Sequence, residues 1–201
     1  GKDIAYFHTL FWPAVLSAAE YHVPDWVQVH GFLTVNGEKM SKSRGTFITA
    51  ADFARHVPAE FLRYYYAAHL SARPDDIDLN FEEFTNRINA ELVNKIANLI
   101  NRVSSFLDRH FQRRITQFDS ASFAQTEDIE RRFTKVQSAF RSFELARATR
   151  EICAIADIGN VYFQDHKPWE LINTDRDAAH RICSNTVHIC QIIAIALKPI
   201  V

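Results

Sequence analysis

The residues best suited to chemistry lie in one short polar loop, Lys39-Met40-Ser41-Lys42-Ser43-Arg44-Gly45. Its two lysines stand three positions apart, beside two small hydroxyls and a flexible glycine. Such a loop can fold over a polyphosphate and donate charge-assisted hydrogen bonds to it. It would then stabilise the charge that grows on a leaving pyrophosphate during phosphoryl or nucleotidyl transfer. The alternative is a solvated basic turn with no specific role.

A second group could recognise nucleic acid. Asn98 and Arg102 are four positions apart, so they project from one helix face, where they could bond base edges while Arg102 also stacks or holds phosphate. Trp169 follows Pro168 in a break between two helices, where an indole can lie exposed for a base to stack upon. The alternatives are a solvated helix face for Asn98 and Arg102, and a cap over the bundle end for Trp169.

The third candidate group is the pair His8 and Trp12. These two residues are also four positions apart and therefore share one face of the first predicted helix. An imidazole and an indole on one face suit contact with a thioether side chain. Ordinary core packing is the alternative.

Periodicity predicts the elements that must position these residues. A helix over residues 4–19 with Asp3 as N-cap precedes a strand over 27–35, which the turn signal Asn36-Gly37 closes. After the polar loop, Thr49 is expected to cap a short helix over 50–56. Further helices are predicted over residues 59–68, 81–111, 127–164 with a bend near Gly159, and 175–197 with Asp175 as cap.

A domain boundary is expected in residues 71–79, where Pro74 and three aspartates interrupt the helical pattern. Long antiparallel helices joined by short polar loops form a bundle. The prediction is therefore a mostly α chain: a short α/β part at residues 1–56, a linking region at 57–80, and an all-α bundle at 81–201.

Composition sets limits on partners. The chain has 201 residues, a 47% hydrophobic content and a net charge of −1, so any RNA contact must be local rather than the result of a general cationic field. No apolar stretch reaches the ~20 residues of a bilayer span, and no signal-peptide pattern opens the chain, which favours a cytoplasmic protein without a membrane partner. Both ends look cut rather than natural.

The three cysteines, Cys153, Cys183 and Cys190, form no C-x-x-C pair. Neither a disulfide framework nor a zinc site is expected from them, and buried small apolar side chains are the simplest interpretation.

The pentapeptide Lys39-Met40-Ser41-Lys42-Ser43 matches the KMSKS signature of class I aminoacyl-tRNA synthetases letter for letter. In that class, the signature follows the last core strand of a Rossmann fold. The flanking sequence resembles the methionyl-tRNA synthetase family over nearly the whole chain. The similar stretches are Gly1-Lys2-Asp3-Ile4, Phe7 to Ala14, His30 to Gly37, Leu62 to Tyr66, Asp75 to Asn80, Asn98-Leu99-Ile100-Asn101-Arg102 and Lys167-Pro168-Trp169.

The resemblance implies roles for particular residues. Lys42 is expected at the pyrophosphate in the activation transition state, with Lys39 in support, while His8 and Trp12 belong to the methionine pocket. Asn98, Arg102 and Trp169 match the residues that read the CAU anticodon. The residues implied at ATP are Gly1, Lys2, Asp3, His30, Gly31, Lys39, Met40, Ser41, Lys42 and Ser43, with Arg44 as a further phosphate contact.

The implied reaction joins methionine and ATP to give methionyl-adenylate and pyrophosphate, and then transfers methionine to tRNA(Met). Magnesium would accompany ATP. The class also needs a HIGH-type tetrapeptide that grips the ATP phosphates, and His30-Gly31 is not one. The zinc-carrying insertion of many such enzymes would also lie upstream, so no metal is expected on this segment. The 201-residue chain alone is therefore expected to be inactive in catalysis while keeping the ability to bind tRNA.

Two other kinds of protein share part of this pattern. Another class I enzyme, such as a cysteinyl or leucyl synthetase, shares the loop, but the block Phe7 to Ala14 and the N-L-x-x-R and P-W pairs speak against it. A stand-alone tRNA-binding helical module would have no reason to keep an intact KMSKS loop.

Overall fold

The computed structural model describes residues 1–40, 47–118 and 123–201. As the sequence predicts, the chain is mostly helical with a small sheet. The strands are β1 (Leu33–Val35), β2 (Glu38–Lys39) and β3 (Ile77–Leu79). The α-helices are α1 (Trp12–Ala18), α2 (Ala50–His56), α3 (Ala59–His69), α4 (Phe81–Arg87), α5 (Asn98–Phe111), α6 (Thr126–Arg141), α7 (Leu145–His166), α8 (Pro168–Leu171) and α9 (Arg176–Leu197).

The sheet has the order β2-β1-β3. The predicted tight turn is confirmed: β1 and β2 pair as a hairpin across Asn36 and Gly37, whose φ values are +48° and +79°. These left-handed values are tolerated best by asparagine and glycine. On its other side, β1 pairs in parallel with β3, with Leu33 opposite Ile77.

The predicted strand over residues 27–35 is wrong in length, because only Leu33–Val35 forms a ladder. Residues before it are held by single bonds rather than by a partner strand. The Gly31 amide donates to the Asp75 carbonyl at 3.2 Å, and the Phe32 amide donates to the Asp76 carboxylate at 2.7 Å. β3 was hidden in the segment expected to be irregular, because three residues are too few to show alternation.

The first helical run comprises a 3₁₀ turn at Lys2–Ile4, a π-helical stretch at Phe7–Phe11 and α1. Asp3 is not its N-cap, because it already lies inside the 3₁₀ turn and Gly1 precedes it. None of the three segments has a buried residue. The apolar face that predicts this helix is therefore exposed among the described residues.

The helix expected over residues 127–164 is in fact two helices. Phe143, with φ +58°, reverses the chain between α6 and α7, and the Glu144 amide closes the turn on the Ala139 carbonyl at 2.9 Å. No glycine or proline marks this break, so the sequence pattern hid it. Gly159 lies inside α7 rather than at a bend, and an added Cβ there would come 2.8 Å from Leu99 Cδ2.

The other predicted helices are confirmed. Thr49 caps α2 by accepting from the Asp52 amide, and Asp175 caps α9 by accepting from the Ala178 amide. Residues 81–111 form one long helical run: α4, a π-helical stretch at Ile88–Ala97, and α5.

One continuous apolar core joins the sheet side to the bundle. Tyr64 and Tyr65 of α3 are fully buried in it. The Tyr64 hydroxyl donates to Glu91 at 2.7 Å and lies 3.3 Å from Cys153 Sγ, and burial raises its pKa well above the usual range. The Ala146 amide at the start of α7 donates to Leu70 at the end of α3 at 2.8 Å. The expected linking region is thus tied directly to the bundle.

No helix in the described part of the chain is long and apolar enough to cross a membrane.

Candidate functional site

The ring of Phe32 is the centre of the first cluster of site residues. The Lys2 ammonium lies 4.9 Å from the ring centroid, and the Lys39 ammonium lies 5.6 Å from it. Two cations over one ring are held by its quadrupole. Lys2 also forms an ion pair with Asp76 at 2.8 Å, and the same carboxylate oxygen accepts from the Phe32 amide. The arrangement brings one lysine from the chain start and one from β2 to the same place.

Two hydrogen bonds, from Lys2 and then from the Phe32 amide, lower the pKa of Asp76 below its usual range. A carboxyl whose pKa is depressed by folding stabilises the fold above the pKa of the unfolded chain. That contribution is lost as the pH falls through the lower folded pKa. Because both side chains are about half exposed, solvent screens the pair and the contribution to stability is small.

Replacing Lys2 by alanine is expected to move the Asp76 pKa upward, towards its ordinary value of 3.8, because the larger of the two stabilising bonds is gone. Carboxyl chemical shifts followed by NMR during an acid titration measure this. Lys198→Ala, at the far end of the chain, is the matched control and should leave the Asp76 pKa unchanged. An unaltered Asp76 pKa in Lys2→Ala would show that the Phe32 amide alone sets it.

The glycines expected at ATP lie beside this cluster. A Cβ built on Gly1 would be 2.9 Å from an Asp3 carboxylate oxygen and 4.0 Å from the Gly31 carbonyl oxygen. His30 Nδ1 lies 3.2 Å from the same Gly31 oxygen. The structure therefore gathers these four residues at the entrance to β1. Gly31 also has a packing role, because its backbone approaches Asp75 too closely for any side chain.

The polar loop is described only at its start. Lys39 ends β2, and Met40 lines a mostly apolar cavity of about 350 Å³ between the sheet and helices α2 and α3. Ile48 and Tyr66 also line this cavity, and Met40 packs against the core. Met40, the last described residue before position 47, is thus held by a hydrophobic contact. The remaining expected residues, Ser41, Lys42, Ser43 and Arg44, lie outside the described residues.

His8 and Trp12 lie on the first helical run, and both are exposed, with half of the Trp12 side chain accessible. His8 Nδ1 is 2.9 Å from the Ile4 carbonyl oxygen one turn earlier. Core packing therefore does not account for these side chains among the described residues. The pair stays a prediction for the methionine pocket.

The second cluster joins three of the helices at one end of the bundle. Arg102 of α5 lies with its guanidinium 5.9 Å from the Trp169 ring centroid and 5.1 Å from that of Phe163. Trp169 packs edge-on against Phe163 at 5.7 Å and remains 37% exposed. Asn98, one turn before Arg102, is exposed. The three expected residues are thus on one side of the bundle, and Arg102 and Trp169 are in direct contact.

Four residues of the two clusters were not anticipated from the sequence. Gln164 accepts a hydrogen bond from Arg102 at 3.1 Å, and Phe163 supports both Arg102 and Trp169. Phe32 and Asp76 hold the lysines of the other cluster. The contacts of Arg102 with Gln164 and Phe163, and of Lys2 with Asp76, join positions far apart in the sequence, so no local spacing could have revealed them.

Across residues 1–40, 47–118 and 123–201, no three histidine, cysteine or acidic side chains come together in a way that could hold a metal ion. Cys183 and Cys190 are buried, as predicted, and burial raises the pKa of each to about 12. Cys153 is only partly buried, next to Tyr64.

Two family models match the chain. One, described as class I tRNA synthetases (M), covers residues 1–104, and the other, described as the anticodon-binding domain of methionyl tRNA ligase, covers residues 113–201. Asn98 and Arg102 therefore lie in the part that the first model matches.

Solved structures agree with these matches. The Mycobacterium tuberculosis methionyl-tRNA synthetase in complex with methionyl-adenylate is 27% identical, with a TM-score of 0.87. A second structure of that protein bound by methionyl-adenylate is 26% identical, with a TM-score of 0.84. Its apo form, at 24% identity and a TM-score of 0.80, supports the fold alone. Each match covers all of this chain and 40% of the solved one.

The small sheet with its lysine-bearing hairpin and the helical bundle behind it are the parts of a class I aminoacyl-tRNA synthetase. Within that class, the chain belongs to the methionyl-tRNA synthetase family.

Proposed function

We propose that this chain is part of a methionine–tRNA ligase, which activates methionine with ATP and transfers it to tRNA(Met). We further propose that the helical part of this chain recognises the anticodon. The observation that carries this proposal is the contact of Arg102 with the half-exposed Trp169 at the bundle end. An aromatic ring beside a partly exposed guanidinium offers a base both a stacking surface and a charged hydrogen-bond donor.

On the ATP side, Lys42 would contact the pyrophosphate as it leaves and Lys39 would support it. The site includes Gly1, Lys2, Asp3, His30 and Gly31 at the entrance to β1, with Met40 fixing the loop. Fixed cations aimed at growing phosphate charge lower the barrier without covalent work. Mg²⁺ would come with ATP, held mainly by the phosphate oxygens. His8 and Trp12 would bind the methionine side chain.

We infer three parts along the chain: a catalytic part at residues 1–56 with the KMSKS loop, a linking region at 57–80, and an anticodon-binding domain at 81–201. The close contacts between α3 and α7 support a fixed placement of the linking region on the bundle. A cytoplasmic location follows from the proposed role in charging tRNA.

The experiment that tests the anticodon proposal compares two short RNA hairpins, one with a CAU loop and one with a single anticodon base changed. Binding is followed by fluorescence anisotropy at two salt concentrations, because phosphate contacts make affinity salt-dependent. We expect tighter binding of the CAU hairpin. Equal binding of both hairpins would leave the ATP loop unaffected but would return the amino-acid identity to the wider synthetase class.

The purified 201-residue chain is expected to give no appreciable methionine-dependent pyrophosphate exchange, because its sequence contains no HIGH-type tetrapeptide to grip the ATP phosphates. The assay measures exchange of labelled pyrophosphate into ATP with methionine present and, as a control, absent. Exchange well above that control would contradict the expectation and would mean that the residues present suffice for activation.

A further inference from the structure

We propose that Gln164 is a positioning residue for RNA recognition: its neutral side-chain amide holds the Arg102 guanidinium in place and leaves the positive charge uncompensated. This inference rests on the proposed anticodon function and names a residue to which that function assigns no role.

The geometry fixes Arg102 from two directions. Its Nη2 donates to Gln164 Oε1 at 3.1 Å, across a sequence separation of 62 residues. Its guanidinium also lies 5.1 Å from the centroid of the Phe163 ring, which is 2% exposed and therefore held by the core. A long, flexible arginine is thus ordered before any ligand arrives, which lowers the cost of ordering it on binding.

The chemistry of the partner is what sets Arg102 apart. Among the described residues, no carboxylate forms an ion pair with Arg102, and its hydrogen-bond partner is an amide. Several other arginines of the helical part are paired with acids instead. These pairs are Arg87 with Glu83 and Glu91, Arg113 with Asp108, Arg131 and Arg132 with Asp128, and Arg147 with Glu144.

The difference matters for RNA. A carboxylate partner would orient the guanidinium but compensate its charge, and a phosphate or base would have to compete with it. An amide oxygen orients the guanidinium through one N–H while leaving the full charge for a phosphate and the remaining N–H groups for a base edge. Gln164 therefore orients the Arg102 guanidinium without neutralising its positive charge.

The test uses the whole 201-residue chain and the CAU hairpin, with Gln164→Ala, Gln164→Glu, Arg102→Ala and the double variant Gln164→Ala with Arg102→Ala. Gln164→Ala should weaken binding about 3- to 10-fold, because Arg102 loses its preorganisation. That loss should vanish in the Arg102→Ala background, since both changes act through one group.

Gln164→Glu should weaken binding further and lower the slope of log affinity against log salt by about one, because the new carboxylate compensates one cation. Gln137→Ala and Gln137→Glu, on the exposed face of α6, are matched controls and should bind like the unaltered chain. The thermal unfolding of the Gln164 and Gln137 single variants should stay unchanged, because both side chains are exposed.

A second measurement does not need RNA. The Nε–H NMR signal of Arg102 should show restricted motion in the unaltered chain and averaged motion in Gln164→Ala. An unchanged signal would overturn the positioning role. If Arg102→Ala weakens CAU binding while the Gln164 variants do not, the inference falls and the proposed function stands. If the chain shows no CAU preference and Arg102→Ala has no effect, the proposed anticodon function falls, and the NMR result alone decides whether Gln164 holds Arg102.

Discussion

Replacing Trp169 with alanine is expected to weaken binding of the CAU hairpin roughly 5- to 150-fold, since the stacking of one base on an aromatic ring contributes ~1–3 kcal/mol. The indole is 37% exposed, so one part is open to a base while the other rests on Phe163 and Arg102. The same change removes part of the surface that supports Arg102. The CAU preference should therefore fall together with the affinity.

Fluorescence anisotropy gives the affinity, and thermal unfolding separates binding from folding. Trp26→Ala is the matched control, because Trp26 is also exposed and also packs on one phenylalanine, Phe143, at 5.6 Å. It should leave RNA binding unchanged. A large loss of thermal stability in Trp169→Ala, with binding falling only in proportion to the unfolded fraction, would show that Trp169 caps the core and does not read RNA.

The largest loss of stability is expected from Gly31→Ala. The new Cβ would lie 2.3 Å from the Asp75 carbonyl oxygen and 2.5 Å from an Asp76 carboxylate oxygen. Either β1 or the segment before β3 must move, and the Gly31–Asp75 and Phe32–Asp76 bonds are strained or lost. A destabilisation of about 3 kcal/mol follows from overpacking of this severity. For a chain of this size, that corresponds to a fall in Tm of roughly 6–12 °C.

Gly37→Ala is the matched control for this steric effect. Gly37 has φ +79°, but no atom lies within 4 Å of a Cβ added there. Its cost is the left-handed backbone alone, about 1–2 kcal/mol. Differential scanning calorimetry on both variants should rank Gly31→Ala well below Gly37→Ala. Equal Tm values would contradict the steric argument, because they would show that the backbone at Asp75 moves aside at little cost in free energy. A glycine at position 31 would then be required by the ATP site alone.

The sequence predicts the elements whose signals are local. The Asn36-Gly37 turn, the Thr49 and Asp175 caps and the long helical run over residues 81–111 are all confirmed. Each depends on residues within about one turn of the backbone. β3 and the break at Phe143 are not predicted, because neither has a local signal in the sequence. β3 is specified by its pairing with β1 across 44 residues, and Phe143 adopts a left-handed conformation that its residue type does not announce.

The same contrast between local and long-range signals applies to the residues of the site. Arg102 and Trp169 could be identified from family motifs, and the structure brings them into contact. Gln164 and Asp76 could not be identified, because a glutamine on an exposed helix face and an aspartate in a polar loop are ordinary in sequence. Only the fold shows that one holds Arg102 and the other holds Lys2. The positions of Lys42, Ser41 and Ser43 at ATP stay predictions from the motif.

Helix α7 runs from the end of α3 to the cluster of Arg102, Phe163 and Trp169. It begins at Leu145, next to the hydrogen bond that ties Ala146 to the end of α3, and it ends at His166, three residues before Trp169. Its 22 residues give an uninterrupted rod of roughly 33 Å. The length of α7 therefore sets how far Gln164, and Trp169 beyond it, lie from the end of α3 at Leu70. Inserting one residue into α7 before Gln164 would rotate the end of the helix by about 100° and carry Gln164 away from Arg102. Inserting one full turn would keep Gln164 on the side of α7 that faces Arg102 but would move it further from the end of α3.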